Sequence, residues 1–174
     1  MDIAQNSISA HASVIEIETV VRRCEDRLTI TVRDNGCGMD ADMLKSVTDP
    51  FTTSRTTRKV GLGIPFFRLG AEACGGDFSI KSSVGEGTCI TASYQISHID
   101  RPPMGDMAET MLTLAVSNPD VRFVYRLDVD ETVFVFDTGA ISEVLGDVPI
   151  TEPEIVRWMK EYLIQGIDEL NGGI

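Results

Sequence analysis

Two segments near the start of the chain alternate apolar and polar residues, the pattern of a strand with one buried face. Residues 14–22 read Val-Ile-Glu-Ile-Glu-Thr-Val-Val-Arg, and residues 27–33 resume the alternation after a short polar connection. Successive strand side chains point to opposite faces, so the alternation collects the apolar residues on one side. The short connection predicts an antiparallel pair of strands with one face on the core.

Apolar residues at helical spacing lie on both sides of this pair. We predict helices over residues 2–11, 40–47 and 66–74, and two further strands over residues 77–83 and 88–96. Gly75 and Gly76 would end the third helix with a left-handed cap. Helices mixed with paired strands predict an α+β fold in which helices pack against a sheet that is at least partly antiparallel.

Composition narrows the class of protein. The 174 residues are 43% apolar and 24% charged, as in an ordinary globular domain. The sequence has no apolar run of the length that crosses a membrane and no basic-then-apolar start typical of a secretory signal, so we expect a cytoplasmic protein. The four cysteines lie far apart, which argues against a zinc site or a disulfide framework.

Charge is unevenly distributed along the chain. Residues 1–97 carry 10 Lys and Arg against 12 Asp and Glu, whereas residues 98–174 carry 5 against 15. This shift, with Pro102-Pro103 beside it, predicts a domain over 1–97 and a small acidic region over 98–174. The net charge of −12 argues against broad nucleic-acid binding, which needs a basic surface.

The acidic region has α+β patterning of its own. It predicts a helix over 104–117, a hairpin over 121–127 and 132–136, and a terminal helix with an apolar side that includes Trp158. That side could pack on the hairpin or form a docking face for a partner. Asp128, Asp130 and Glu131 at the hairpin turn suit either a solvated acidic turn or a calcium site.

Candidate chemistry lies in three glycine clusters. Asp34-Asn-Gly36-Cys-Gly38-Met39 follows a strand, and Gly61-Leu62-Gly63 and Gly85-Glu-Gly-Thr88 come later. Alone, Asp-Asn-Gly is a common turn, but clustered glycines also let another molecule approach the backbone closely. Gly61 to Ile64 open a helix, whose free amides and dipole suit a phosphate.

The first helix holds a further polar pair. Asp2 and Asn6 are four residues apart and therefore project from the same helix face. That spacing also fits a solvated face of an amphipathic helix. Residues 49–60 have no helical or strand period and contain many hydroxyls and three cations, which is typical of a loop that is either functional or disordered.

Together these segments resemble the GHKL-type ATP-binding domain of gyrase, heat-shock chaperone ATPases, histidine kinases and the mismatch-repair protein MutL. Asp2 to Ser7 resembles the first box of that family, and Asp34 to Met39 the first glycine box. Lys59 to Ile64 resembles the second glycine box, and Ser82 to Thr88 the third. The resemblance implies the two-layer α/β sandwich of the Bergerat type, with ATP and Mg²⁺ as ligands.

The resemblance also implies a role for individual residues. The Asp34 carboxylate would accept from the adenine amine, with Thr88 beside it and Met39 over the base. Gly36 and Gly38 belong to the same adenine box. Asn6 would bind Mg²⁺, and the residues that would hold the phosphates are Lys59, Gly61, Leu62, Gly63 and Ile64. Residues 52–60, with Thr53, would form a mobile lid.

Catalysis depends on Asp2, which resembles the glutamate that activates water in the hydrolysing branches. Aspartate is shorter, so we expect slow or absent hydrolysis and a nucleotide-gated module that acts on a protein partner. The alternative is an ATPase or a protein kinase acting in trans. His11 and His98 lack the context of a phosphoacceptor, and the first box looks closest to the MutL branch. We also expect that a helical segment ahead of Met1 is missing.

Overall fold

A computed structural model describes residues 1–48 and 63–171 of the chain. The helices are α1 (Asp2–Ser9), α2 (Ala41–Thr48), α3 (Gly63–Ala73), α4 (Met107–Ser117), α5 (Thr138–Leu145) and α6 (Pro153–Asn171). The strands are β1 (Val14–Arg22), β2 (Arg27–Asp34), β3 (Phe78–Ser83), β4 (Gly87–Gln95), β5 (Arg122–Val129) and β6 (Thr132–Asp137). A short 3₁₀ turn joins β1 to β2.

The six strands form one sheet in the order β3-β4-β2-β1-β5-β6. Every neighbouring pair is antiparallel except β1 and β5, which run parallel with Ile15 opposite Phe123. The predicted α+β fold and the predicted antiparallel pairing of β1 with β2 are confirmed. The parallel pair joins the two halves of the chain into one sheet.

The core lies on one face of this sheet because alternate strand residues are apolar. Ile15, Ile17 and Val21 of β1 are buried on that face, and they continue onto Phe123 and Tyr125 of β5. The intervening residues on the other face are largely polar or charged. There Glu18 of β1 accepts a hydrogen bond from Arg126 of β5 at 2.7 Å. The helices and the sheet make the two layers predicted from the sequence.

The first half follows its predicted elements closely. Helix α3 begins at Gly63, three residues earlier than predicted, and Gly75 has the left-handed φ of 67° predicted for its cap. The N–H of Gly76 closes this end by donating to the Ala71 carbonyl at 3.0 Å. Each end of α3 therefore lies at a glycine of the sequence motifs.

The second half contains one helix that the pattern did not predict. Helix α5 begins directly after β6 because the Asp137 carboxylate accepts from the N–H groups of Gly139 and Ala140, at 2.9 and 3.3 Å. Such N-caps satisfy backbone donors that have no partner within the helix. The predicted helix at 104–117 begins at Met107, where the Asp106 carboxylate accepts from the Glu109 N–H.

Two of the three acidic residues at the β5–β6 hairpin, Asp130 and Glu131, are exposed as in the solvated turn considered above, whereas Asp128 near the end of β5 is buried. The Asp128 carboxylate is 7% exposed and pairs with Arg22 at 2.6 Å and with Arg126 at 2.9 Å. Hydrogen bonding from Arg22, with a further contribution from Arg126, lowers its pKa to about 2. These carboxylate oxygens bind arginine, and the pair with Arg22 fastens β5 to β1.

Two general predictions concern membrane-spanning helices and the boundary between domains. Within residues 1–48 and 63–171, no helix combines the length and apolarity needed to cross a membrane. The division of the chain at residue 97 stays a prediction, since the hairpin of β5 and β6 continues the sheet of the first half.

Candidate functional site

Asp34 ends β2 with its side chain on the covered face of the sheet, where it is buried. Its Oδ2 accepts from the Ser7 hydroxyl at 2.6 Å. Its Oδ1 accepts from the Gly36 N–H at 2.9 Å and from the Thr88 N–H at 3.3 Å. Burying a carboxylate is costly unless it is hydrogen-bonded, and these three donors meet that requirement. They also hold the carboxylate in one orientation.

Ser7 is a site residue that the sequence analysis missed. It is buried on α1, and its bond to Asp34 fixes this helix against the end of β2. A signal for it was present, because Ser7 directly follows Asn6 in the first box. A hydroxyl at one helix position cannot be assigned a partner 27 residues away by spacing alone.

Met39, Ser82 and Thr88 form a second hydrogen-bonded group beside Asp34. The Ser82 hydroxyl accepts from the Met39 N–H at 2.9 Å, lies 2.9 Å from the Thr88 hydroxyl, and contacts the Gly87 carbonyl. Gly38 has a φ of 65°, and a Cβ there would overlap the Ser83 carbonyl. The loop after β2 is therefore seated on the β3–β4 hairpin, which places Met39 next to Thr88.

These groups border a cavity of about 380 Å³ between α1, α2, α3 and the ends of β2 and β4. Six of the predicted binding residues line it, namely Asn6, Asp34, Gly38, Met39, Ile64 and Thr88. Apolar side chains that the sequence analysis did not single out complete the walls, namely Ile3, Met43, Val47 and Ile90. A mostly apolar cleft with a few convergent polar groups is the usual form of a small-molecule site.

Asn6 contributes an unpaired amide to the same cavity. Its Nδ2 is buried and makes no hydrogen bond within the described part of the chain. Buried polar groups normally have a partner, so an orphan amide in a cavity indicates a ligand. The amide oxygen of the same side chain, unlike its unpaired nitrogen, is a hard donor of the kind that Mg²⁺ prefers.

Asp2 lies outside the cavity lining, at the first turn of α1 and next to the start of α3. A Cβ built on Gly63 would lie 2.7 Å from the Asp2 Cβ, so a side chain at this glycine would collide with it. The structure therefore brings Asp2 to the end of the helix predicted to hold phosphates. The Asp2 side chain is exposed.

The remaining predicted residues divide into two groups. Gly36 does not line the cavity; a Cβ there would lie 2.8 Å from the Ala10 carbonyl oxygen, so the chain itself occupies the space beside it. Thr53, Lys59, Gly61 and Leu62, with the lid predicted over residues 52–60, lie outside the described residues. Their roles stay predictions.

Cys37 lies at the margin of the cavity and is exposed, and His11 lines the cavity with a φ of 58°. The Cys37 N–H donates to the Ala10 carbonyl at 2.9 Å, which ties the loop to the end of α1. A cysteine between two glycines can be a small spacer or a reactive thiol. Because Cys37 is exposed, packing between Gly36 and Gly38 does not enclose its thiol.

Residues 1–98, more than half of the chain, match the family of histidine kinase-, DNA gyrase B- and HSP90-like ATPases. The chain belongs to this family. The predicted resemblance to a GHKL-type ATP-binding domain is thereby confirmed, and the matched segment includes every element around the cavity.

Similar curated proteins carry the names of a sensor protein and of histidine kinases. A putative sensor protein of Shewanella frigidimarina is 34% identical over 98 residues, which are 56% of this chain and 15% of that protein. The signal transduction histidine-protein kinase AtoS of Escherichia coli is 33% identical over 94 residues, 54% of this chain and 15% of that protein. The chain thus matches only a small part of the length of these relatives.

A solved structure resembles a larger part of the chain. The MutL ATPase domain of Aquifex aeolicus, determined with ADP, covers 94% of this chain and 66% of its own, with a TM-score of 0.52 and 15% identity. At that identity the likeness concerns the fold alone. It extends over the second half of the chain, where the family match ends.

Proposed function

We propose that this protein binds ATP with Mg²⁺ in the cavity beside Asp34 and acts as a nucleotide-gated regulatory module with slow or no hydrolysis. The observation that carries the proposal is the buried Asp34 carboxylate, held by three donors at the floor of a cavity with apolar walls. Family membership supports the same ligand.

The free acceptor capacity of Asp34 suits the amine of adenine. A carboxylate offers about four lone-pair sites, and Ser7, Gly36 and Thr88 use three of them. One site therefore remains for a further donor. The exocyclic amine of adenine supplies such a donor. Guanine has a carbonyl at the equivalent position, which would place a second acceptor next to the carboxylate and be repelled by it.

The walls of the cavity suit the faces of a purine ring. Met39, Ile64 and Val47 are apolar lining residues, and Val47 and Ile64 belong to a small buried cluster together with Ile90. A flat base would exclude water from these side chains, while Asp34 and Thr88 would fix its edge. Affinity would then come from the walls and selectivity from Asp34.

The phosphate end of the proposal depends on different residues. Asn6 would hold Mg²⁺ through its amide oxygen, and the bound ion would neutralise phosphate charge. The start of α3 at Gly63 and Ile64 would contribute backbone amides. Lys59, Gly61, Leu62 and Thr53 complete this proposal from the sequence, with residues 52–60 as a lid over the nucleotide.

Slow hydrolysis follows from the position and length of Asp2. Its carboxylate is exposed at the first turn of α1, where no hydrogen bond within the described residues orients it. A general base must be held at a fixed distance from its water, and rates fall steeply when it is not. Asp2 is therefore the proposed catalytic residue of a weak activity.

The alternative function is that of an enzyme, either an ATPase or a protein kinase that phosphorylates a separate protein. The similarity to sensor kinases favours the kinase as the second candidate. In both cases we propose that a protein partner receives the output. The exposed position of Asp2 favours the regulatory module over the ATPase.

Titration of ATP into the protein by calorimetry, with Mg²⁺ and then with EDTA, tests the binding proposal. We expect saturable binding that weakens without the metal, and weaker binding of GTP.

γ-Labelled ATP then separates the functions: release of phosphate that Asp2→Asn abolishes would indicate an ATPase, and label on a second protein would indicate a kinase. Asp120→Asn, in the exposed turn before β5, is the control. Absence of ATP binding would overturn the proposal.

A further inference from the structure

Strand β6 is an outer strand of the sheet, and within the described residues no strand pairs with its outer edge. The Tyr162 hydroxyl of α6 donates to the Val135 carbonyl at 3.1 Å, so this carbonyl faces outward and keeps one lone pair for a further donor. In an antiparallel strand, outward-facing residues alternate, and Val133 is therefore equivalent to Val135. Such an edge is a template for another strand.

Exposed apolar side chains lie on both faces of the sheet beside this edge, with the valines of β6 on the face opposite to Phe134 and the aromatic residues of α6 on the face of Phe134. Val133 and Val135 are 43% and 44% exposed, and Trp158 and Tyr162 of α6 are 47% and 39% exposed. We call these four residues the β6 edge surface. Exposed Val and Trp side chains grouped at an unpaired strand edge are typical of interaction sites and uncommon on other surfaces.

The aromatic residues of this surface are fixed in place before any partner binds. Trp158 stacks on Tyr162 with ring centroids 5.4 Å apart and an angle of 11°, and Tyr162 packs against Phe134 at 5.2 Å. The buried side chains of α6, Met159 and Leu163, anchor the helix to the sheet. The apolar side of α6 therefore divides into a packed part and an exposed part, where the sequence left packing and docking as alternatives.

Two carboxylates flank Trp158 on one side, with the exposed Arg157 beyond them on the same helix. Glu154 precedes Trp158 by four residues and Glu161 follows it by three, so both lie on the helix face of Trp158, and both are exposed. Lys160 of the same helix is engaged by Glu109 of α4 at 3.1 Å. Residues 98–174 have ten more acidic than basic side chains. A second copy would bring the same excess of negative charge, whereas a basic segment would be attracted.

We propose that the β6 edge surface binds an extended, basic segment of a partner protein, which adds to β6 as a further strand. Its backbone would pair with the outward groups of Val133 and Val135, and its apolar side chains would cover the two valines. An arginine or lysine of the segment would lie over the exposed side of Trp158, near Glu154 and Glu161. The inference rests on the proposed function only in taking the protein to act through a protein partner.

The only tryptophan of the chain lies at this surface, so its fluorescence reports binding directly. The probe is a short acetylated and amidated peptide in which valine alternates with arginine, titrated into the full chain without nucleotide. We expect a saturable change in Trp158 emission.

Glu154→Lys combined with Glu161→Lys should weaken binding about tenfold, because charges at an interface rim steer association. Glu25→Lys combined with Glu86→Lys, at exposed positions of the β1–β2 and β3–β4 turns, is the charge-matched control.

Two comparisons make the result decisive. A peptide of the same sequence with alternate backbone nitrogens methylated keeps its charges but cannot pair along one edge, so it should not bind. Equal binding of both peptides would overturn strand addition. Dimers of the unliganded protein that Val135→Lys dissociates would instead assign the surface to a second copy and overturn the basic partner. ATP binding by the same samples is measured in a separate titration. A failure of the proposed ATP site is therefore distinguished from a failure of the proposed peptide site.

Discussion

One row of residues across the sheet separates the two halves of the molecule. Phe123 of β5 lies opposite Ile15 of β1, Ile15 lies opposite Asp34 of β2, and Asp34 lies opposite Thr88 of β4. Phe123 and Ile15 are fully buried apolar side chains, whereas Asp34 and Thr88 border the cavity. The same layer is therefore solid core on one side and a candidate binding site on the other.

The difference teaches how this sheet acquires a site. The strands of the second half fill the covered face with large side chains such as Tyr125 and Phe136, which are fully buried. The first half places a carboxylate and hydroxyls there and satisfies them with backbone N–H groups. Because hydrogen bonds offset the cost of burying polar groups such as Asp34, a cavity can exist beside them without unfolding the protein.

Phe123→Ala tests the solid end of the row and should have the largest effect. Removing a fully buried aromatic side chain costs about 3–5 kcal/mol in the free energy of unfolding, through lost burial and the cavity left behind. Urea titration followed by Trp158 fluorescence measures it. Val144→Ala, at a side chain that is 89% exposed, should change stability by less than about 0.5 kcal/mol. A similar loss in both variants would contradict the comparison.

Asp34→Asn tests the end of this row that borders the cavity. It removes a charged acceptor for the adenine amine and should weaken ATP binding by about 1.5–3 kcal/mol, with a smaller change in stability because the shape is retained. Calorimetric titration with ATP measures the change. Asp120→Asn, in the exposed turn before β5, is the matched control. Unchanged ATP affinity in Asp34→Asn would sink the assigned adenine site.

Asp128 tests the connection between the halves through pH. The hydrogen bond from Arg22, supported by Arg126, lowers the pKa of the carboxyl from its ordinary 3.8 to about 2. A lowered pKa in the folded state stabilises the protein above the ordinary value, and this contribution is lost as the pH falls from about 4 to about 2.

Because both arginines are partly exposed, we expect Asp128→Asn to cost about 1–2 kcal/mol near pH 6 and to flatten acid unfolding between pH 4 and 2. Urea midpoints across this pH range measure the effect. Asp130→Asn, which breaks the more exposed pair with Arg23, should leave the pH profile nearly unchanged. An unaltered slope in Asp128→Asn would contradict the assigned ion pair.

Lys160→Ala should have the smallest effect. Its pair with Glu109 joins α6 to α4, but both side chains are about half exposed, so the loss should be about 0.2–0.5 kcal/mol and should vanish in molar salt. Thermal unfolding at low and high salt measures it. A loss of several kcal/mol would mean that the second half depends on surface charge and not on its aromatic core.

Part of this fold could be predicted from the sequence because it is local. Alternation in residues 14–22 and 27–33 matches β1 and β2 within one residue, since period-two burial follows directly from strand geometry. Helix α5 could not be predicted in this way. It is short, contains Gly139 in its first turn, and depends on the Asp137 cap that the end of β6 positions.

The candidate site divides in the same manner. The glycine boxes identified Asp34, Met39 and Thr88, and family membership supports the ligand class. Sequence alone could not find Ser7 as the donor to Asp34, or the unpaired amide of Asn6, because both depend on how α1 lies against β2. The apolar walls were missed for a related reason: Ile3, Val47 and Ile90 resemble any core residue until a cavity forms between them.

The sequence by itself therefore determined the strands of the first half, the glycine boxes and the acidic character of the second half, since each is a property of neighbouring residues. Only the tertiary structure decided that β5 pairs in parallel with β1, more than a hundred residues earlier, and that Arg22 binds Asp128 across that pair. It also decided that Trp158 and Tyr162 face outward beside a free strand edge. Helical spacing gives the face of a residue but not the surface it meets, which depends on how distant elements pack.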